Sequence, residues 1–135
     1  MKKDIEIPKS EHVYLAAIQE WNDDFQENNW YVYLINGNNQ PLEMVIAVSR
    51  AYGTIDGEQR KTGTFRHAFT EVKPNEAIKI ELLDKQILIL NNEFKVTYFL
   101  NDKMHEKNFV FKTNSINEKA QSDLPVIDKR GVLLK

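Results

Sequence analysis

The feature that most constrains the fold is a pair of apolar runs separated by a polar, turn-forming segment. Residues 30–35 (WYVYLI) are aromatic or β-branched almost throughout, and residues 42–48 (LEMVIAV) add leucine and methionine. Between them, residues 36–41 (NGNNQP) contain asparagines and a glycine, which tolerate a positive φ, and a proline, whose φ is fixed. Because both runs are apolar at nearly every position, they are typical of strands covered on both faces. The sequence therefore predicts a central β-hairpin with a loop longer than two residues.

Further strands are predicted wherever apolar and polar residues alternate. Residues 77–83 (AIKIELL) alternate most regularly, with Leu82 predicted to face the core and Glu81 to face water. The central apolar residues of these strands are expected to lie in one shared core. They are Trp30, Leu34, Val45, Ile78, Ile80, Val96 and Phe109. Similar patterns predict strands at residues 64–72, 94–100 and 109–112.

Four other segments need separate interpretation. Residues 13–21 (VYLAAIQEW) fit both a helical stripe and a two-faced strand, and we favour a strand that pairs with the next run as a second hairpin. Residues 51–61 are glycine-rich and polar, which is typical of a mobile, exposed loop. Residues 115–118 (SINE) form a capping box, which predicts a short helix over residues 115–123 that ends before Pro125. The tail, residues 126–135, fits either an edge strand or a docked extension.

These elements indicate an all-β fold, an antiparallel β-sandwich or open barrel of about seven to eight short strands with one short C-terminal helix. At 135 residues the chain fits one domain over residues 12–135, preceded by a flexible arm at residues 1–11. The sequence has no apolar run long enough for a membrane span and no secretory signal pattern, so we expect a cytoplasmic protein that does not bind membranes.

Composition excludes several kinds of chemistry. The chain has no cysteine, which removes thiol catalysis, disulfides and iron–sulfur ligation. It contains no phosphate loop, nucleophile elbow, dinucleotide fingerprint or EF-hand loop. His12, His67 and His105 are far apart in sequence and lack the spacing of a metal site. We therefore expect no cofactor, no metal and no catalytic residue.

A pocket is the first candidate site, with His67, Trp21 and Trp30 as its expected residues. His67 lies between Phe65 and Phe69 on the predicted inner face of a strand. A half-buried imidazole there is expected to form a hydrogen bond with a carboxylate or a carbonyl group.

A basic segment is the second candidate site. Arg60, Lys61 and Arg66 lie close together in sequence, beside the loop predicted at residues 51–61. Cations next to aromatic rings can bind RNA, but Phe65 is predicted to point away from Arg66, and the net charge of −2 gives nucleic acid no general attraction. A protein partner is therefore the expected ligand of this segment.

Segments spread over residues 12–135 resemble a family of short uncharacterised bacterial proteins. The resemblance lies in VYLAAIQEWND, WYVYLIN, LEMVIAVS, KTGTFRHAF, LNNEFKVTYF, FVFKTNSINEKA and KRGVLLK. Some members carry the name phenylalanyl-tRNA synthetase alpha subunit, which implies an RNA-linked, class II aminoacyl-transfer enzyme with arginine-bearing ATP motifs. No stretch of this sequence matches those motifs, so no catalytic residue is carried over.

Two functions of different classes follow from the residues. The first is a non-catalytic β-sandwich module that binds another macromolecule, and an exposed apolar patch or an open sheet edge would favour it. The alternative is a small-molecule or carbohydrate binder, or an unrecognised hydrolase, and a concave site with convergent polar groups would favour that. A third interpretation, from the resemblance and the basic segment, is an RNA-linked or tRNA-synthetase-associated protein.

Overall fold

The computed structural model describes residues 11–135, which form ten strands in two antiparallel sheets. The first sheet has the order β6-β2-β1-β10-β9, and the second has the order β4-β3-β7-β8 with β5 also paired to β3. Neither sheet closes into a barrel within this range. The strands are β1 (Val13–Asn22), β2 (Glu27–Asn36), β3 (Leu42–Ile55), β4 (Glu58–Lys61), β5 (Phe65–Val72), β6 (Glu76–Leu83), β7 (Asn91–Leu100), β8 (Lys103–Phe111), β9 (Ser122–Asp123) and β10 (Arg130–Leu134).

The predicted all-β, antiparallel class is confirmed, with ten strands in place of seven or eight. The arm predicted at residues 1–11 lies outside the described residues except for Glu11. No helix in the described part of the chain is long and apolar enough to cross a membrane.

The two sheets share one buried cluster of side chains. It includes Leu34 from the first sheet and Val96 from the second, both fully buried. Of the predicted core, Trp30, Leu34, Val45, Ile80, Val96 and Phe109 belong to this cluster, and Ile78 packs against it. The core prediction is therefore confirmed.

The predicted central hairpin is wrong, because β2 and β3 lie in different sheets. The connection between them crosses from one sheet to the other, and the fully buried Asn36 fixes it. The Asn36 amide nitrogen donates hydrogen bonds to the carbonyl oxygens of Gln40 at 2.9 Å, Val72 at 3.2 Å and Lys73 at 3.2 Å. Its Oδ1 accepts from the backbone N–H of Asn38 at 2.9 Å. One amide thus joins the crossing segment to the β5–β6 turn.

The favoured strand at residues 13–21 is confirmed as β1, which pairs with β2 from Val13 to Asn22. Both faces of this strand are apolar because both are covered. Its outer face contributes Ile18 to a second buried cluster with Ile35 of β2 and Leu124. Leu124 belongs to the chain segment before β10, so this segment covers the first sheet on the side away from the main core.

The loop predicted at residues 51–61 is a β-hairpin made by the end of β3 and β4. The turn residues Asp56 and Gly57 have positive φ values of 52° and 78°. Two successive residues with positive φ give a turn whose twist matches that of paired strands. The Asp-Gly turn therefore lets the chain continue as a paired strand. The polar composition had indicated a loop over these residues.

The helix predicted over residues 115–123 is also wrong. Only a single 3₁₀ turn forms, at Glu118–Ala120. Its N-cap is Asn117, whose side-chain oxygen accepts from the Ala120 N–H at 2.9 Å, so the cap does not lie at Ser115. The chain then pairs with β10 as β9, and this pairing takes the backbone groups that a longer helix would need.

Candidate functional site

A cavity of about 300 Å³ lies at one edge of the molecule, where β3 and β5 of the second sheet meet β6 of the first. We call it the Glu81 cavity. Its apolar wall is formed by Ala51, Phe65, Leu82, Ile87 and Phe94. Its polar lining consists of Ser49, Arg50, Thr62, His67, Glu81, Asp84, Gln86 and Asn92.

The cavity is next to a break in the pairing along β3. The strand pairs with β5 as far as Ser49 and with β4 from Tyr52 onward. In the gap, Thr62 bonds to Ala51 twice, since its hydroxyl accepts from the Ala51 N–H at 2.9 Å and its own N–H donates to the Ala51 carbonyl at 2.8 Å. The chain between β4 and β5 thus lies beside β3 without forming a strand, and it becomes part of the cavity wall.

The polar centre of the cavity is the carboxylate of Glu81. The Ser49 hydroxyl donates to its Oε1 at 2.6 Å, and His67 Nε2 lies 2.7 Å from the same oxygen. An ionised carboxylate only accepts hydrogen bonds, so Nε2 carries the hydrogen. No hydrogen bond from residues 11–135 reaches the other oxygen, Oε2. The carboxylate is therefore held firmly in place and keeps one oxygen with unused acceptor capacity.

This arrangement favours binding over nucleophilic catalysis. A serine nucleophile needs a base that takes its proton, usually a histidine nitrogen within hydrogen-bond distance. Here the Ser49 hydroxyl donates to Glu81, and the His67 nitrogen that faces it is bonded to the same carboxylate. Serine and histidine therefore both position the carboxylate, and neither activates the other.

The structure brings one of the three predicted pocket residues to the cavity. His67 lines it as a half-buried imidazole bonded to a carboxylate, as predicted. Trp21 is exposed and donates its indole N–H to Asp23, while Trp30 is buried in the main core. Neither tryptophan is among the residues that line the cavity. Phe65, predicted to be in the core, is 57% exposed at the cavity.

Sequence reasoning missed Glu81, and a β-bulge explains why. Val32 of β2 pairs with Glu81, whereas the next residue, Tyr33, pairs with Lys79, which leaves Ile80 as the extra residue. A bulge of this kind shifts the alternation beyond it. Glu81 therefore turns into the cavity, and Leu82, predicted to face the core, is 37% exposed.

The basic residues Arg60, Lys61 and Arg66 lie on two strands that pair with the same side of β3. Arg60 forms an exposed ion pair with Glu58 at 3.3 Å. Lys61 and Arg66 form no ion pair with any residue that the structure describes. Arg66 lies opposite Val48, two residues from Ala68 on β5.

The outer face of the second sheet carries an exposed apolar patch beside Arg66. Large side chains from β3, β7 and β8 contribute to it, and Ala68 of β5 lines it as well. The exposed fractions are 67% for Met44, 43% for Ile46, 37% for Phe99 and 49% for Met104. Exposed apolar surface of this extent is typical of interaction surfaces.

In a second polar cluster, on the outer face of the first sheet, the polar groups are paired with one another. Glu20 accepts a hydrogen bond from the Tyr33 hydroxyl at 2.5 Å and forms ion pairs with Lys79 at 2.8 Å and Lys129 at 3.6 Å. Burial, together with the hydrogen bond to Glu20, raises the pKa of Tyr33 to about 12. Both oxygens of this carboxylate are occupied, unlike those of Glu81.

Comparison with protein-family models, with curated proteins and with solved structures gave no significant match. The resemblance to short bacterial proteins therefore stays a prediction. No group of three or more His, Cys, Asp or Glu side chains within residues 11–135 is arranged to hold a metal ion.

Proposed function

We propose that the protein is a non-catalytic β-sandwich module that binds a small organic ligand in the Glu81 cavity. One observation carries the proposal: a carboxylate held by two donors lies in an apolar cavity and keeps one free oxygen. Concave sites with mostly apolar walls and a few convergent polar groups are the usual form of ligand-binding sites. An exposed ring in the lining, Phe65, offers a contact for an apolar ligand body.

Removing the Phe65 ring should weaken ligand binding without unfolding the protein. We expect 2-phenylethanol, a neutral probe, to bind the full chain and to shift the NMR signals of cavity residues. Phe65→Ala should weaken this binding by about two- to twelvefold, since ring contacts contribute about 0.5–1.5 kcal/mol.

Phe25→Ala is the matched control, because Phe25 is 59% exposed, lies in the β1–β2 connection and is not among the residues that line the cavity. It should leave the dissociation constant unchanged. Signal changes scattered over the surface, or equal effects of the two substitutions, would contradict a ligand site in the cavity.

A second candidate function, macromolecular binding, is favoured by the apolar patch of Met44, Ile46, Phe99 and Met104. The occupant we propose is a protein segment that is both apolar and acidic. Its apolar side chains would cover the patch, and its carboxylates would pair with Arg66 and Lys61, which lack acidic partners among the described residues.

Reversing Arg60, Lys61 and Arg66 to Glu should then weaken capture of this partner from the cells that make the protein. The loss should come mainly from slower association and should depend strongly on salt, while thermal stability stays nearly unchanged. The control reverses three other exposed lysines, Lys112, Lys119 and Lys135, and changes the net charge equally. Equal recovery with both triple variants would contradict the proposal, and recovery of RNA would favour the nucleic-acid alternative.

A further inference from the structure

We infer that the Glu81 cavity selects a cationic ligand, a primary amine carried on an aromatic or other apolar body. The inference rests on the proposed ligand-binding function and adds the charge of the ligand. It follows from three properties of the lining: which polar groups are already used, which remain, and what surrounds them.

The hydrogen-bond donors next to Glu81 are occupied within the protein, and the cation of the lining already has an acidic partner. Ser49 and His67 donate to Glu81 Oε1. The Arg50 guanidinium lies against Glu93, with Nε 2.6 Å from Oε1. The Asn92 amide donates to the carbonyls of Ile87 and Leu90, at 2.8 and 3.1 Å. A carboxylate or phosphate ligand would therefore have to compete with Glu93 for the Arg50 guanidinium, which keeps its other N–H groups.

Hydrogen-bond acceptors of the lining, in contrast, remain available to a ligand. Glu81 Oε2 receives no hydrogen bond from the described residues, and Asp84 adds a second carboxylate to the lining. One Asp84 oxygen accepts from the Gln86 N–H at 2.9 Å, which leaves the other oxygen for a ligand. A primary ammonium group has three donors and no acceptor, so it matches Glu81 Oε2 in both charge and hydrogen bonding, and Asp84 adds negative charge to the same lining.

The surroundings strengthen this preference. Phe94 is 1% exposed and Ala51 is 2% exposed, so part of the cavity wall is both apolar and buried. Charge-assisted hydrogen bonds are stronger where water is excluded. The exposed ring of Phe65 offers a cation or an aromatic body a flat contact surface. An anionic ligand would meet the charges of Glu81 and Asp84, whereas the Arg50 cation of the lining is already paired with Glu93.

Three probes with the same ring and similar length test the charge preference. We expect 2-phenylethylamine to bind the full chain roughly tenfold more tightly than 2-phenylethanol, because the hydrogen bond becomes charge-assisted. We expect 3-phenylpropanoate to show no saturable binding. Isothermal titration or NMR at fixed pH and salt measures all three affinities.

Glu81→Gln should remove the preference while keeping the acceptor that Ser49 and His67 use. The amine should then bind about as weakly as the alcohol, and the affinity for the alcohol should change by less than about twofold. Glu43→Gln is the matched control, since it makes the same charge change at an exposed position at the other end of β3 and should leave the preference intact.

The outcomes separate the two proposals. Equal affinities for amine and alcohol at the cavity would overturn cation selection and leave the ligand site standing. Tighter binding of the carboxylate would also overturn it. If none of the probes perturbs cavity residues, both the ligand site and its charge preference are wrong for this class of compound. Should Glu81→Gln fail to fold, the three probes on the unaltered chain still decide the matter.

Discussion

Replacing Asn36 with Asp is expected to destabilise the protein by about 3–5 kcal/mol at neutral pH. The reason is that an unpaired charge would then lie in the protein interior, for which losses of this size are typical. The change keeps the size and shape of the side chain but replaces the donating amide with a carboxylate oxygen. That oxygen would face the carbonyl oxygens of Gln40, Val72 and Lys73 in a position with no exposure to water. Chemical denaturation of the parent and variant measures the difference in free energy of unfolding.

Two comparisons identify the cause. Asn39→Asp introduces the same charge three residues along the chain at an exposed position, and it should change stability by less than about 0.5 kcal/mol. Asn36→Ala removes the donor without adding a charge, so we expect a smaller loss of about 1–3 kcal/mol. Equal stability of Asn36→Asp and Asn39→Asp would show that the amide does not hold the crossing segment.

Gly131→Ala is the second substitution with a large expected effect, about 2–3 kcal/mol of lost stability. A β-carbon at Gly131 would lie 2.6 Å from the carbonyl oxygen of Ala17 and 3.1 Å from Cγ1 of Ile18. The first of these is a backbone atom of the neighbouring strand β1, so β10 would have to move away from its partner. Thermal or denaturant unfolding measures the loss.

Gly63→Ala provides the control, because a β-carbon at Gly63 would meet no heavy atom within 4 Å. Its stability should stay within about 0.5 kcal/mol of the parent. Hydrogen exchange in Gly131→Ala should also show weaker protection of the β1 and β10 amides. Unchanged protection and stability would mean that the two strands can separate slightly without loss of pairing.

Local patterns in the sequence predict much of the fold, because the two-residue period of a strand is itself local. The strands that contain Ile80, Val96 and Phe109 were identified from alternation alone, and so was their burial in one core. The pairing of β1 with β2 was also predicted, since a short polar connection favours adjacent strands. In each case the decisive information lies within a few residues.

The features that were not predicted depend on distant partners or on single backbone angles. The crossing between the sheets depends on Asn36, whose carbonyl partners at Val72 and Lys73 are remote in sequence. The hairpin at Asp56 and Gly57 depends on two positive φ values within a polar segment. At the candidate site His67 was identified, but Glu81 was assigned to the wrong face because the alternation gives no sign of the bulge at Ile80.

The position of β10 has a consequence for how the chain folds. This strand lies between β1 and β9, and its pairing joins Leu15 to Leu134, near opposite ends of the described chain. Contacts between such distant residues form slowly, since a long loop must close before they contribute any stability. Until β10 docks, one edge of β1 stays unpaired and can pair with another molecule. Refolding yield should therefore fall as protein concentration rises, and a yield that does not depend on concentration would show that β1 is protected earlier.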